Sequence, residues 1–507
     1  MKDFTHFYSR YGLALALVEK GNSSIENLTV ADFSALLEEG LFCFRVKAND
    51  GWQGKEKVNF QYARLREGNP SVGIFLSPTI IISDELAEGL WGKIEEFKTK
   101  LSSTTAVDFY KKESARQSFA PTAGEYNNGK PSRQTANISL IEAVCCAITT
   151  ITTHKPAFTH IESNGKKVTM SNTTILPDLP LNEMKQFITV FRRVSKFKTD
   201  NLMEGKVTKK EEKKTFIEKP GRPVIIRGNF PNAPKSNSLR ALGLLGAIGE
   251  WAKESGETGL GKAVLDSLEK CPIYIVNPDG TKITNYNHFV VKLAQKNKLN
   301  SIIDSIYRIS PYSLNRKSSQ KEIEREREKI AFFASNFLHI FDEMAFREFL
   351  SIRAEYPYQL EILLKTYFMD KKQIDPQIVS SAKSLGSWLN YVAYKVAAAN
   401  KPNDKEMKAK ILVELESSAF SAKTGTALIS QTITRAGRLS HMEAPAEASL
   451  FMEKTMSGEL DLKDAQQMLM AFSRLRTKHE PQTIATEEIT ENATEEIEDF
   501  SDAQDND

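Results

Sequence analysis

The chain has 507 residues, too many for one ordinary core, with 40% hydrophobic and 26% charged residues, the balance of a globular protein. No apolar run approaches the roughly 20 residues that a membrane span needs, and the start Met1-Lys2-Asp3-Phe4 is not a secretory signal. The formal charge of +3 hides an asymmetry: the ten acids after Pro481, met by no Lys or Arg, leave residues 1–480 at +13. A basic body of this kind favours a polyanion over an acidic small molecule, and the acidic tail 481–507 reads as disordered.

In chain order, the spacing predicts helices over 4–20, with Phe7, Tyr11, Leu15 and Val18 on one side, and over 30–39. The β-branched and aromatic runs 41–47, 56–65 and 72–82 predict a small antiparallel sheet, and 86–101 returns to helix. Residues 121–135 form a polar loop with no apolar periodicity. An apolar helix or buried strand follows over 138–152, then a hairpin over 158–170 turning at Asn164-Gly165. A helix opens at 178–183 and ends in Phe191-Arg-Arg-Val-Ser-Lys-Phe-Lys198. Residues 192–240 carry fourteen cations against five acids. Beyond them the pattern predicts helices over 242–253, 263–269, 289–307 and 319–354, with a second hairpin at 273–276 and 282–284. Residues 378–475 read as a helical bundle. One of its helices has the stripe Ile378, Ala382, Leu385, Leu389, Val392 and Val396. A second, continuous one has Leu412, Leu415, Ala419, Ala422, Thr426, Ile429, Ile433 and Ala436. The reading is α+β, with a mixed N-terminal half and an all-α C-terminal half. The expected divisions are 1–240, 241–370, 371–480 and the tail.

Catalytic motifs are offered and fail. Gly256-Glu-Thr-Gly-Leu-Gly-Lys-Ala263 nearly matches a phosphate-cradling loop, but Ala263 stands where magnesium needs a hydroxyl, and a helix rather than a strand precedes it. His339 and Glu343 lie one helical turn apart without further ligands. Cys43, Cys145, Cys146 and Cys271 show no metal spacing and read as buried, reduced thiols of a cytoplasmic protein. No metal, cofactor or catalytic set is expected.

Three features point to polynucleotide. Asn127, Asn128, Lys130, Arg133 and Gln134, around Gly129, have the side-chain types that read base edges. Arg192, Arg193, Lys209, Lys210, Lys213, Lys214, Arg222, Arg227, Lys235 and Arg240 are candidate phosphate contacts, with Phe197, Phe216 and Phe230 near enough in sequence to stack bases. In the bundle, Ser417, Ser421, Thr424, Gln431, Arg435 and Arg438 follow one rhythm, with Lys423 nearby. Each also has an ordinary reading, as a surface loop, a basic linker and a solvated face.

The segment Ile175-Leu-Pro-Asp-Leu-Pro-Leu-Asn-Glu-Met184, with Phe187 and Phe191-Arg-Arg, resembles the large subunits of type I CRISPR interference complexes (Cascade) of the I-A/I-B kind. So does Ser381-Ala-Lys-Ser-Leu-Gly-Ser-Trp-Leu-Asn-Tyr-Val-Ala-Tyr-Lys395, and the bundle is similar to the small subunit. The resemblance implies a non-catalytic subunit working with guide RNA and target DNA beside backbone and guide 5′-end subunits. Its N-terminal half would probe a short duplex motif flanking the target. Its bundle would contact the displaced strand and dock a recruited nuclease-helicase or transposon targeting protein. The alternatives are a stand-alone coat for single strands and an enzyme with a degenerate nucleotide site at 256–263.

Overall fold

A computed structural model describes residues 4, 6–21, 24–50, 56–66, 69–73, 84–103, 112–113, 138–152, 154–164, 167–197, 207–209, 215–217, 237–277, 280–307, 356, 358–400 and 405–476. The chain divides into two compact units, Met1–Ile303 and Asp304–Asp507.

In the first unit, α1 (Phe7–Glu19) and α2 (Val30–Cys43) precede β1 (Phe44–Asp50), β2 (Glu56–Arg66) and β3 (Asn69–Gly73), which pair antiparallel in that order. The expected small sheet is present, although α2 runs on through Cys43 and delays its first strand. Then come α3 (Asp84–Ser102), the two-residue strands β4 (Lys112–Glu113) and β5 (Ile138–Ser139), and α4 (Leu140–Ile151). The 138–152 stretch is therefore mostly helix. Ser139 caps it by accepting a hydrogen bond from the backbone N–H of Glu142 at 3.1 Å, the Ser-x-x-Glu arrangement that satisfies orphan donors at a helix start. At the other end the buried Lys155 ammonium donates to the carbonyls of Thr149 and Thr150, and burial pushes its pKa well down.

β6 (Ala157–Asn164) and β7 (Lys167–Pro177) form the hairpin expected at the Asn-Gly turn, with Asn164 opposite Lys167. After α5 (Leu181–Lys196) and the short pair β8 (Val207–Lys209) and β9 (Thr215–Ile217), α6 (Asn237–Glu254) and α7 (Thr258–Glu269) lead to β10 (Ile273–Asn277) and β11 (Gly280–Thr284). The two hairpins, separate in the sequence reading, are one antiparallel sheet ordered β11-β10-β7-β6, in which Tyr274 faces Leu176. The boundary expected at residue 240 thus falls inside a packed unit. α8 (His288–Gln295) and α9 (Leu299–Tyr307) replace the single helix expected over 289–307. Asn297 adopts a left-handed φ of 53° there, and the Lys298 N–H bonds back to the Leu293 carbonyl at 2.9 Å, a helix-terminating turn that Asn tolerates better than most residues.

α1 runs through the core and is buried on nearly all sides. Its Phe7 ring stacks on Tyr274 of β10, with centroids 3.8 Å apart and planes 9° apart. Arg10 donates to Asp178 at 2.8 Å and to the Leu179 carbonyl at 2.9 Å. The Ile175–Met184 segment is therefore the corner between β7 and α5, pinned by a guanidinium from α1.

In the second unit, α10 (Glu361–Thr366) continues into a π-helical turn, Tyr367–Lys371. Asp375 accepts from the Gln377 N–H at 2.7 Å, and Pro376 opens α11 (Pro376–Asn400), the first helical position being one where proline costs nothing. Its expected stripe is buried at Ala382, Leu385, Leu389 and Val392 and half-buried at Ile378 and Val396. The second stripe is corrected. It belongs to α12 (Lys405–Ser421) and α13 (Gly425–Ser440), not to one helix. The Thr424 hydroxyl caps α13 by accepting from the Ala427 N–H at 3.2 Å. A Cβ on Gly425 would meet the Thr455 carbonyl oxygen at 1.8 Å, so only glycine lets the helix start there. The break resets the register: Leu428, Ile429, Thr432 and Ala436 are buried, while Thr426 is exposed. α14 (Ser449–Met456) and α15 (Leu462–Ser473) complete the bundle.

Glu361 accepts from Lys383 at 2.7 Å and pairs with Lys365 at 2.8 Å. Burial raises its carboxyl pKa, but the two ammonium groups outweigh that and hold it below its ordinary 4.5. A folded-state pKa below the unfolded one contributes stability above pH 4.5 that is lost as pH falls through and below that value. Melting curves over this acid range should therefore fall less steeply in Glu361→Gln than in the parent chain. Identical slopes would remove the assignment.

Candidate nucleic-acid interface

The bundle's outward polar face is built by two helices. Ser417 and Ser421 of α12, Thr424 in the connection, and Gln431, Arg435 and Arg438 of α13 are all exposed, as is Lys423. α13 contains no Asp or Glu, and Ser430 and Thr434 add hydroxyls to its exposed side. Arg435 donates to Glu414 of α12 at 2.5 Å, which neutralises part of its charge. Among the described residues, Lys423 and Arg438 have no ion-pair partner. The arrangement offers donors and positive charge to a phosphate backbone without a carboxylate on the same helix to repel it.

A neighbouring feature was not legible as a site. α11 also lacks Asp and Glu, and its exposed residues include Ser380, Tyr391, Tyr394 and Lys395. The signal was the pairing of two tyrosines at i, i+3 on an acid-free helix, but spacing alone does not separate an exposed aromatic from a buried one.

The basic centre divides differently. Arg192 and Arg193, at the end of α5, are each paired at 2.7 Å, with Glu19 and with Glu257. They tie α5 to its neighbours. Arg240 is corrected: it is 1% exposed and donates to the Thr173 hydroxyl at 2.5 Å, so it cannot meet a phosphate on the surface. Burial lowers its pKa to about 10. Lys209 ends β8, and its side chain lies outside the described part. Lys210, Lys213, Lys214, Arg222, Arg227 and Lys235 lie outside the described residues, as do Asn127, Asn128, Lys130, Arg133 and Gln134. The same holds for Phe230, for His339 and Glu343, and for the acidic tail.

The phosphate-loop lookalike is a helix–turn–helix. α6 feeds it, Gly256 turns with φ 78°, and α7 starts at Thr258. A Cβ on Gly261 would sit 2.2 Å from that of Ala252, so this glycine serves close packing of α6 and α7. Cys145, Cys146 and Cys271 are free and buried, and burial raises the Cys145 thiol well above its ordinary range and Cys271 to about 12. One metal-type group occurs among the described residues: ligand atoms of Glu19, Glu39 and His154 lie within 4.8 Å of one another. Its charges are met within the chain. Arg192 holds Glu19, and His154 lies 3.3 Å from Glu39, whose carboxyl it keeps below its usual value by hydrogen bonding.

Fold and face together define a class: an α+β protein of two compact units whose helical bundle turns hydroxyls, amides and cations outward. None of its described helices is long and apolar enough to cross a membrane. The chain belongs to the CRISPR-associated protein Csp2 family, whose model matches residues 6–476. Membership makes it a CRISPR-associated subunit of the type I Cascade kind. No curated protein and no solved structure matches the chain at a significant level.

Proposed function

We propose that the chain is the non-catalytic large subunit of an RNA-guided DNA-targeting complex, acting with guide RNA, target DNA and the other Cascade subunits. In this reading the N-terminal half probes the duplex motif flanking the target, with Asn127, Asn128, Lys130, Arg133 and Gln134 as the base-reading set. The bundle lies along the displaced strand and presents a surface to a recruited nuclease-helicase or transposon targeting protein. The observation that carries the binding role is the acid-free, cation-bearing outward side of α13. The family membership supports the setting.

The test is target binding by the complex reconstituted with guide RNA, measured across a salt series. Lys423→Glu with Arg438→Glu should weaken binding by at least about tenfold and reduce the log–log salt slope by about two. Asn128→Ala or Lys130→Ala should weaken binding only to targets bearing the flanking motif. A chain that reaches full target affinity without guide RNA or partner subunits, and with no motif preference, is instead a coating protein. Unchanged affinity and slope in the double charge reversal would end the bundle's assignment.

A further inference from the structure

Tyr391 and Tyr394 stand apart from the other described tyrosines. Tyr8, Tyr11, Tyr274, Tyr286, Tyr356 and Tyr367 are buried and Tyr358 is half-buried, whereas Tyr391 is 51% and Tyr394 49% exposed. The two lie one helical turn apart on α11, with ring centroids 6.5 Å apart and planes tilted by 32°. The Lys408 ammonium of α12 stands 5.8 Å from the Tyr394 ring centroid, a cation–π contact that steadies the ring. Lys395 follows directly and is exposed. No carboxylate comes from α11 itself.

Two exposed aromatic rings in such surroundings could cover an apolar partner or stack bases. The charge decides between them. An apolar protein surface gains nothing from Lys395, one helical turn beyond Tyr391, while a single strand presents bases to the rings and a phosphate to that lysine together. A duplex hides its bases in the stack and has none to offer.

We propose that Tyr391 and Tyr394 form a stacking platform for unpaired bases of a single-stranded polynucleotide, with Lys395 holding the adjoining phosphate. This rests on the polynucleotide reading of the bundle and adds to it a second, aromatic surface on a different helix. The rings set the preference for single strands over duplex; the cations of α13 set affinity for any phosphate backbone.

The test uses the full chain, a short thymidine oligonucleotide with one central 2-aminopurine, and a blunt duplex as control. With the parent chain, 2-aminopurine emission should be quenched on binding. Replacing one tyrosine by leucine should weaken single-strand binding about tenfold, and replacing both about a hundredfold, with quenching lost and the salt slope unchanged. Tyr391→Phe with Tyr394→Phe should bind and quench as the parent does, because stacking needs the ring and not the hydroxyl. Lys395→Ala should lower the salt slope by about one and leave quenching in place. Leucine keeps apolar bulk at exposed positions, so a leucine pair that binds and quenches normally overturns the platform. Binding without quenching by the parent chain also overturns it and leaves the bundle's polynucleotide role standing. A parent chain that binds no polynucleotide, alone or with its guide and partner subunits, overturns both.

Discussion

Replacing Glu416 by alanine is expected to destabilise the C-terminal unit by about 3–5 kcal/mol, a large share of the roughly 5–15 kcal/mol that holds an ordinary domain folded. Glu416 and Arg474 have side chains only 6% exposed and pair in two places, Nε to Oε1 at 2.9 Å and a terminal nitrogen to Oε2 at 2.6 Å. The Ser473 hydroxyl donates to the same carboxylate at 3.0 Å. The Tyr356 phenol bonds Arg474; burial, the larger effect, raises its pKa to about 12. The Tyr356 backbone pairs with Arg474 and Arg476 on either side of Leu475. One ion pair therefore joins α12, the end of α15 and the chain at residue 356. Without the carboxylate, the guanidinium stays buried with no charge to meet it. Glu416→Leu with Arg474→Met should recover most of the loss, since the penalty comes from the orphaned charge and not from a missing contact. Hydrogen exchange over residues 405–476 measures the effect locally; protection in Glu416→Ala equal to the parent's would show that the pair does not hold the bundle.

Phe7→Ala should have a comparable effect on the first unit, about 3–5 kcal/mol. Phe7 is 1% exposed and Tyr274 6%, and their parallel stack joins α1 to β10 across more than two hundred residues of chain. Truncation removes the ring's transfer energy and leaves a hole that helix and sheet cannot close without moving apart. A double-mutant cycle with Tyr274→Ala should return a coupling of about 0.5–1.5 kcal/mol beyond lost area. Exchange protection should fall in α1 and β10 together. Loss confined to α1 would mean that the helix and the four-stranded sheet are not one packed unit.

The legible parts of this protein were the local ones. The β6–β7 hairpin, the α11 stripe and the helix–turn–helix over 256–263 each depend on residues a few positions apart. The unread parts fail for one reason. The β7–β10 pairing joins segments about a hundred residues apart, and neither hairpin carries a mark of its partner. The α12–α13 break was masked because Ala422 and Thr426 continue the four-three rhythm across it, while Thr424 and Gly425 act through a capping bond and through contact with Thr455.

By itself the sequence determined the α+β class, the bundle and the basic body with its acidic tail, because periodicity, turn chemistry and charge count are properties of neighbours along the chain. Only the tertiary structure decided which cations and rings meet solvent. Arg240 and Arg438 are the same residue on helices, yet one is sealed against Thr173 and the other is exposed. Tyr367 and Tyr391 divide in the same way. Burial is set by the elements that close over a residue, and those arrive from distant parts of the chain.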